Sequence, residues 1–265
     1  MITQADWDYV KKTSLWPYEE LIGKLQALSA YPVLWGAYNH DMARAARFAG
    51  ALFPNRDIAA GEFPASVMET MSFLEKGGIR NWGDLLDRVA TRESGAAFVA
   101  STGLGFRRLA DVLTYLLRWG FPYRTASREI FAQDDPHEME TYAALKQHGL
   151  MNTFDLLEAG RTADGRGALA RSLGLPLEFS TALVHRADIA RLPFVRRKTI
   201  LAVCGAGYDS LAKIAHADTA GMESALDEYF RRTQGKPWEN FKSVIVPRGM
   251  IAAAQALPPI LDQPV

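Results

Sequence analysis

The chain has 265 residues, 30 basic and 30 acidic side chains, and 48% hydrophobic content, the profile of an ordinary globular protein with room for one large core or two smaller ones. Balanced charge excludes an overall electrostatic pull toward nucleic acid or anionic membrane, so any polyanion site must be a local patch. A single cysteine, Cys204, excludes an internal disulfide, and no apolar run approaches the roughly 18 residues of a membrane span. The first residues, "MITQADWDYVKKTSLW", lack the apolar core of a secretory signal, and a soluble cytoplasmic protein is expected.

In chain order, residues 1–66 form an aromatic-rich helical region holding Trp7, Tyr9, Trp16, Tyr18, Tyr31, Trp35 and Tyr38. Such rings can make the core of a helical cap, or line a ligand pocket or base-stacking surface. From residue 67 onward "RRLADVLTYLLRWG", "METYAALKQHG" and "ESALDEYFRR" space apolar residues by three and four, which predicts helices. Only "KSVIVP", residues 242–247, resembles a strand. The Ala-rich stretch between Pro247 and Pro258 predicts a last helix that packs as a lid. The expected class is all-α.

Two segments share a pattern at an offset of 71 residues. "GIRNWGDLL" at 78–86 returns as "GLMNTFDLL" at 149–157, Met68-Glu69-Thr70 as Met139-Glu140-Thr141, Gly103-Leu104 as Gly174-Leu175, and "FPY" at 121–123 as "LPF" at 192–194. We read an internal duplication. Each shared residue has a reason. Gly78 and Gly149 suit the left-handed stop of one helix, Asn81 and Asn152 cap the next, and Asp84 and Asp155 favour its positive end. A fainter third copy follows at Gly207, with Val203 before it and Ile214 after it. The expected units are therefore about 68–138, 139–206 and 207–265, packed as one body over residues 67–265 behind the N-terminal region.

At "HRADIARLPFVRRKTILAVCGAGYDSLAKIA", residues 185–215, the pattern resembles a helix-hairpin-helix unit. Leu192-Pro193 leads into the hairpin, Arg197-Lys198-Thr199 begin a basic helix, and Gly207 makes the following turn. Residues from about 70 to 260 are similar to an uncharacterised bacterial domain-of-unknown-function family built from tandem degenerate units of this kind. The resemblance implies nucleic-acid binding through hairpin backbone and Arg/Lys side chains, without sequence preference and without catalysis or a cofactor.

The superfamily's DNA-gripping hairpins carry a Gly-hydrophobic-Gly turn that brings bare amides to a phosphate. Here Phe194-Val195-Arg196 and Tyr123-Arg124-Thr125 stand at that point. Only "STGLGFRR" keeps the form, with Gly103 and Gly105 followed by Arg107 and Arg108; its counterpart "LGLPLEF" has Pro176 and Glu178 instead. The candidate contacts are Gly103, Gly105, Arg107, Arg108, Arg196, Arg197 and Lys198. Around the second hairpin Arg191, Arg196, Arg197, Lys198 and Lys213 exceed Asp188 and Asp209 by three charges, which is either a phosphate grip or a solvated, ion-paired helix face.

No metal motif is written among the five histidines. "DDPHEME", residues 134–140, reads as a linker and helix start, and Cys204 as a buried filler, so no catalytic residue is assigned. Three functions remain in order: nucleic-acid binding, a protein-interaction scaffold with degenerate hairpins, and a small-ligand protein or enzyme using the N-terminal aromatics. No membrane partner is expected.

Overall fold

The computed structural model describes residues 2–53, 61–241 and 246–262; they are mostly helical, and none of them forms a strand. The strand-like stretch at 242–247 falls largely outside the described residues, and its end, Pro247, begins a helix. Two compact units divide the chain, residues 1–122 and 123–265.

In the first unit α1 (Gln4–Ser14), α2 (Tyr18–Gln26), α3 (Pro32–Tyr38) and α4 (Met42–Leu52) precede α5 (Phe63–Lys76), α6 (Trp82–Arg88), α7 (Arg92–Thr102) and α8 (Phe106–Tyr115). The helix α1 packs on α8, and α4 and α8 both pack on α5. Tyr18 and Tyr38 are buried, and Trp7 sits edge-on between Tyr18 at 5.1 Å and Phe106 at 4.7 Å. Tyr9 donates its hydroxyl to buried Asp111 at 2.8 Å, which also accepts from Ser66 at 2.7 Å. These N-terminal aromatics are packed against the helices that follow them. The last turn of α8 widens into a π-helical turn, Leu116–Gly120.

The second unit contains α9 (Pro136–Gln147), α10 (Thr153–Gly160), α11 (Ala163–Leu173), α12 (Leu177–Ile189), α13 (Arg197–Gly205), α14 (Leu211–Ala215), α15 (Thr219–Gln234) and α16 (Pro247–Ala256). A 3-10 turn, Ser127–Ile130, packs on α12 and α13, while α16 packs on α14 and α15.

Local chemistry explains where the helices stop and start. At the end of α5 the Ile79 amide donates to Leu74 O at 3.0 Å and Gly78 to Glu75 O at 3.0 Å. Leu150 to Leu145 O and Gly149 to Lys146 O close α9 in the same way, as do Tyr208 to Val203 O and Gly207 to Cys204 O at α13. This paired closure needs a left-handed residue, and the three glycines take φ of 79°, 76° and 95°. The next helix starts at Asn81, Asn152 and Ser210, whose side chains accept the amides of Asp84, Asp155 and Lys213. Asn81 and Asn152 each also form one antiparallel bridge to an upstream residue, Asp41 and Ala126 respectively.

One carbonyl is satisfied differently in the two units. At the end of α6, Val89 O accepts the buried Tyr18 hydroxyl at 2.7 Å, and that hydroxyl passes over Gly95 so closely that a Cβ there would lie 2.4 Å from it. At the end of α10, Gly160 O accepts from Arg166 at 3.1 Å, and Arg166 stands 71 residues after Gly95. Each solution removes the desolvation cost of an orphaned buried carbonyl.

His40 is 4% exposed, its ring near those of Tyr38 and Phe48, and its buried Nδ1 has no hydrogen-bond partner among the described residues. Burial first, then nearby Arg44, lowers its pKa to about 4, against an opposing pull from Asp41. The folded state therefore prefers neutral histidine, whereas the unfolded chain takes up a proton near pH ~6.5. Stability is complete above that pH and is lost as pH falls toward 4, by about 3 kcal/mol in full. Thermal denaturation at pH 7 and pH 4.5 should show a drop in Tm that is smaller in His40→Phe.

Candidate functional site

The first candidate hairpin joins α7 to α8. Gly103 ends α7 with φ 72°, Leu104 is buried, and Gly105 caps α8 with φ −63°. Neither glycine's Cβ position meets a heavy atom within 4 Å, so the turn backbone lies open. Its cations are committed within the unit. Arg107 lies 3.9 Å from Asp6 with its guanidinium over the Tyr9 ring, and Arg108 pairs with Glu69 at 2.8 Å. These exposed pairs add little stability, but they neutralise the charge the turn would present.

The second hairpin joins α12 to α13. Leu192 is buried, and its amide donates to Ile189 O at 3.0 Å; Phe194 follows at φ 63°, a conformation unusual for an aromatic residue, with its side chain 61% exposed. Arg196 takes the cap position of α13, but no side chain caps that helix. Of the five cations around this turn, two are already answered. Arg191 is buried against Asp188 at 2.6 Å and donates to Pro258 O at 2.9 Å, and Lys213 pairs with Asp209 at 2.8 Å. The local excess of three charges is thereby confined to Arg196, Arg197 and Lys198, none of which has an ion pair among the described residues. Cations at the positive end of a helix repel its dipole, and an anion seated there would relieve both.

Arg197 and Lys198 also border a cavity of about 1110 Å³ between α12, α13 and α15. Glu138 in its wall accepts from Arg186 at 2.9 Å and from the Ala132 amide at 2.6 Å. Cys204 lines the cavity too, and burial raises its thiol to about 11, so it is protonated and unreactive at neutral pH. Gly205 beside it lets the Tyr229 ring approach to where a Cβ would sit, 2.2 Å away.

Elsewhere the chemistry is structural. Asp135 caps α9, as expected for a linker that starts a helix. His148 and His216 face the carbonyls of Ala144 and Ala212, and burial lowers the pKa of His185. No three His, Cys, Asp or Glu side chains among the described residues form a group that could hold a metal. Among them, too, no helix is long and apolar enough to cross a membrane.

Reading the sequence for glycine turns missed Arg124 and Arg128. Both are exposed, and neither has an ion pair among the described residues. The signal was present, since Tyr123 precedes Phe194 by 71 residues.

The two units thus carry tight interhelical turns, of which the one in the second unit presents unpaired positive charge. Residues 137–237 match a family model described as Domain of unknown function (DUF4332), a span from α9 to α15 that includes Arg196, Arg197 and Lys198. No curated protein and no solved structure matches the chain.

Proposed function

We propose that this chain is a non-catalytic protein of tandem helix-hairpin-helix-like units that binds nucleic acid through the phosphate backbone, without sequence preference. The observation that carries the reading is the run Arg196, Arg197 and Lys198 at the start of α13, without carboxylate partners among the described residues while Arg191 and Lys213 have theirs. The identical helix closures at Gly78, Gly149 and Gly207, and the matching Asn81 and Asn152 caps, support a duplicated unit. Of the two hairpins, the one at Phe194 is the primary contact, and Gly103, Gly105, Arg107 and Arg108 contribute only where phosphate displaces Asp6 and Glu69. Those paired arginines favour a second reading, in which the first hairpin serves a protein partner.

The test is fluorescence anisotropy of the full chain with labelled DNA over a range of salt. Three phosphate contacts predict that log K falls with log salt at a slope of about −2 to −3. Changing Arg196, Arg197 and Lys198 together to Glu should abolish binding at low salt. No binding by the unaltered chain at low salt, or equal affinity for the triple variant, overturns the proposal.

A further inference from the structure

We infer that the cavity between α12, α13 and α15 binds a small organic phosphate with a flat ring, the chemistry of a nucleoside 5′-phosphate. Arg197 and Lys198 hold the phosphate, and the ring of Tyr229 lies against the base. The inference rests on the binding reading above for its choice of phosphate as the anion.

Size is the first observation. The cavity measures about 1110 Å³, just above the range of about 300–1,000 Å³ usual for small-ligand pockets and far more than an inorganic anion fills. Two helices shape it. Arg197, Leu201 and Gly205 line it from α13, and Tyr229 and Thr233 from α15. Spacing of four residues puts each set on one face of its helix.

Charge is the second. Glu138 is held by Arg186 at 2.9 Å and Asp209 by Lys213 at 2.8 Å, so these two carboxylates in the wall already have counterions. Arg197 and Lys198 have no ion pair among the described residues, and of the lining carboxylates only Asp134 has none either. Two cations against one carboxylate leave an excess of one positive charge. A phosphate answers it, with charge-assisted hydrogen bonds that an ammonium and a guanidinium both supply.

The walls are the third. Ala182, Leu201 and Ala202 bring only apolar side-chain atoms, and Cys204 is a thiol that burial keeps protonated. Tyr229 adds a ring fixed in place, since it meets Phe230 edge-on at 5.4 Å and occupies the space a Cβ on Gly205 would need. A base can stack on such a platform. Gln133 and Gln234 line the same space, and their amides can hydrogen-bond the polar edge of that base.

Only a ligand with both a phosphate and a ring uses the whole site. Inorganic phosphate leaves the apolar walls wet, and a nucleoside leaves the two cations unanswered. Two sources offer the combination, a free nucleotide and the 5′-phosphorylated end of a strand. The interior of a duplex does not, because its bases are paired and stacked.

The test is isothermal titration calorimetry of the full chain at low salt with AMP, inorganic phosphate and adenosine. AMP should saturate one site and bind at least about tenfold more tightly than either fragment. Tyr229→Ala should weaken AMP binding by about fivefold or more, the worth of one stacked base, and Leu201→Trp, which fills the cavity, by about tenfold or more. Duplex affinity should stay as it was in both, because Arg196, Arg197 and Lys198 remain. Single-stranded oligodeoxyadenylate with and without a 5′-phosphate then separates the sources. A preference for the phosphorylated strand that Leu201→Trp removes makes the strand end the ligand, and equal affinity makes it the free nucleotide. AMP that binds no more tightly than inorganic phosphate, or that binds both variants as it binds the unaltered chain, overturns the inference and leaves the binding reading standing. Duplex that fails to bind at low salt overturns that reading instead, and the AMP titration still decides the cavity.

Discussion

Gly95→Ala should destabilise the first unit by about 3 kcal/mol, roughly a 10 °C drop in Tm, although the change adds one methyl group to a helix and raises its intrinsic propensity. The added Cβ would lie 2.4 Å from the Tyr18 hydroxyl, and Tyr18 is 1% exposed. Moving it breaks the bond to Val89 O and leaves a buried carbonyl without a partner, at a cost of about 1–3 kcal/mol on top of the overpacking. Tyr18→Phe suffers the second penalty but relieves the first, because the ring carbon behind the hydroxyl would be 3.1 Å from the new Cβ. The two changes together should therefore cost little more than Tyr18→Phe alone. A denaturant double-mutant cycle should give a coupling of about 3 kcal/mol, and simple additivity would refute the packing argument.

The second large effect is expected at the buried pair in the other unit. Arg191 and Asp188 have side-chain exposures of 2% and 8%, and Arg191 also reaches Pro258 O in the segment after α16. Asp188→Ala should cost about 3–5 kcal/mol by leaving a guanidinium charge buried without its counterion. Arg191→Lys should rescue little, because a single ammonium cannot hold both the carboxylate and the distant carbonyl in the geometry of the guanidinium. Urea denaturation of the two variants provides the measurement, and a loss below about 1 kcal/mol for Asp188→Ala would show that the pair is solvated in solution.

The parts of the fold that could be read from the sequence are those whose bonds close within a few residues. The closures at Gly78, Gly149 and Gly207 run from a residue to one five earlier, and the caps at Asn81 and Asn152 reach three residues forward, so spacing alone exposes them. The bonds that determine the candidate site do not close locally. Arg108 finds Glu69 39 residues away and Arg186 finds Glu138 48 away, so a count of nearby charges could not tell which cations remain available. Arg191 illustrates the difficulty. Its neighbours in sequence suggest a solvated basic turn, yet its contact with Pro258, 67 residues on, helps to bury it. Phe194 escapes sequence reasoning for another reason: a left-handed backbone signals itself when glycine occupies it, and here a bulky residue does.

The chain's lone sulfhydryl, lodged in the wall of the cavity beneath α13, bears on the redox life of the protein. With its proton held to about pH 11, only on the order of one molecule in ten thousand carries the nucleophilic sulfur anion at pH 7. Peroxide and the disulfide of oxidised glutathione act on that anion, so the raised pKa slows the reaction of this thiol with either.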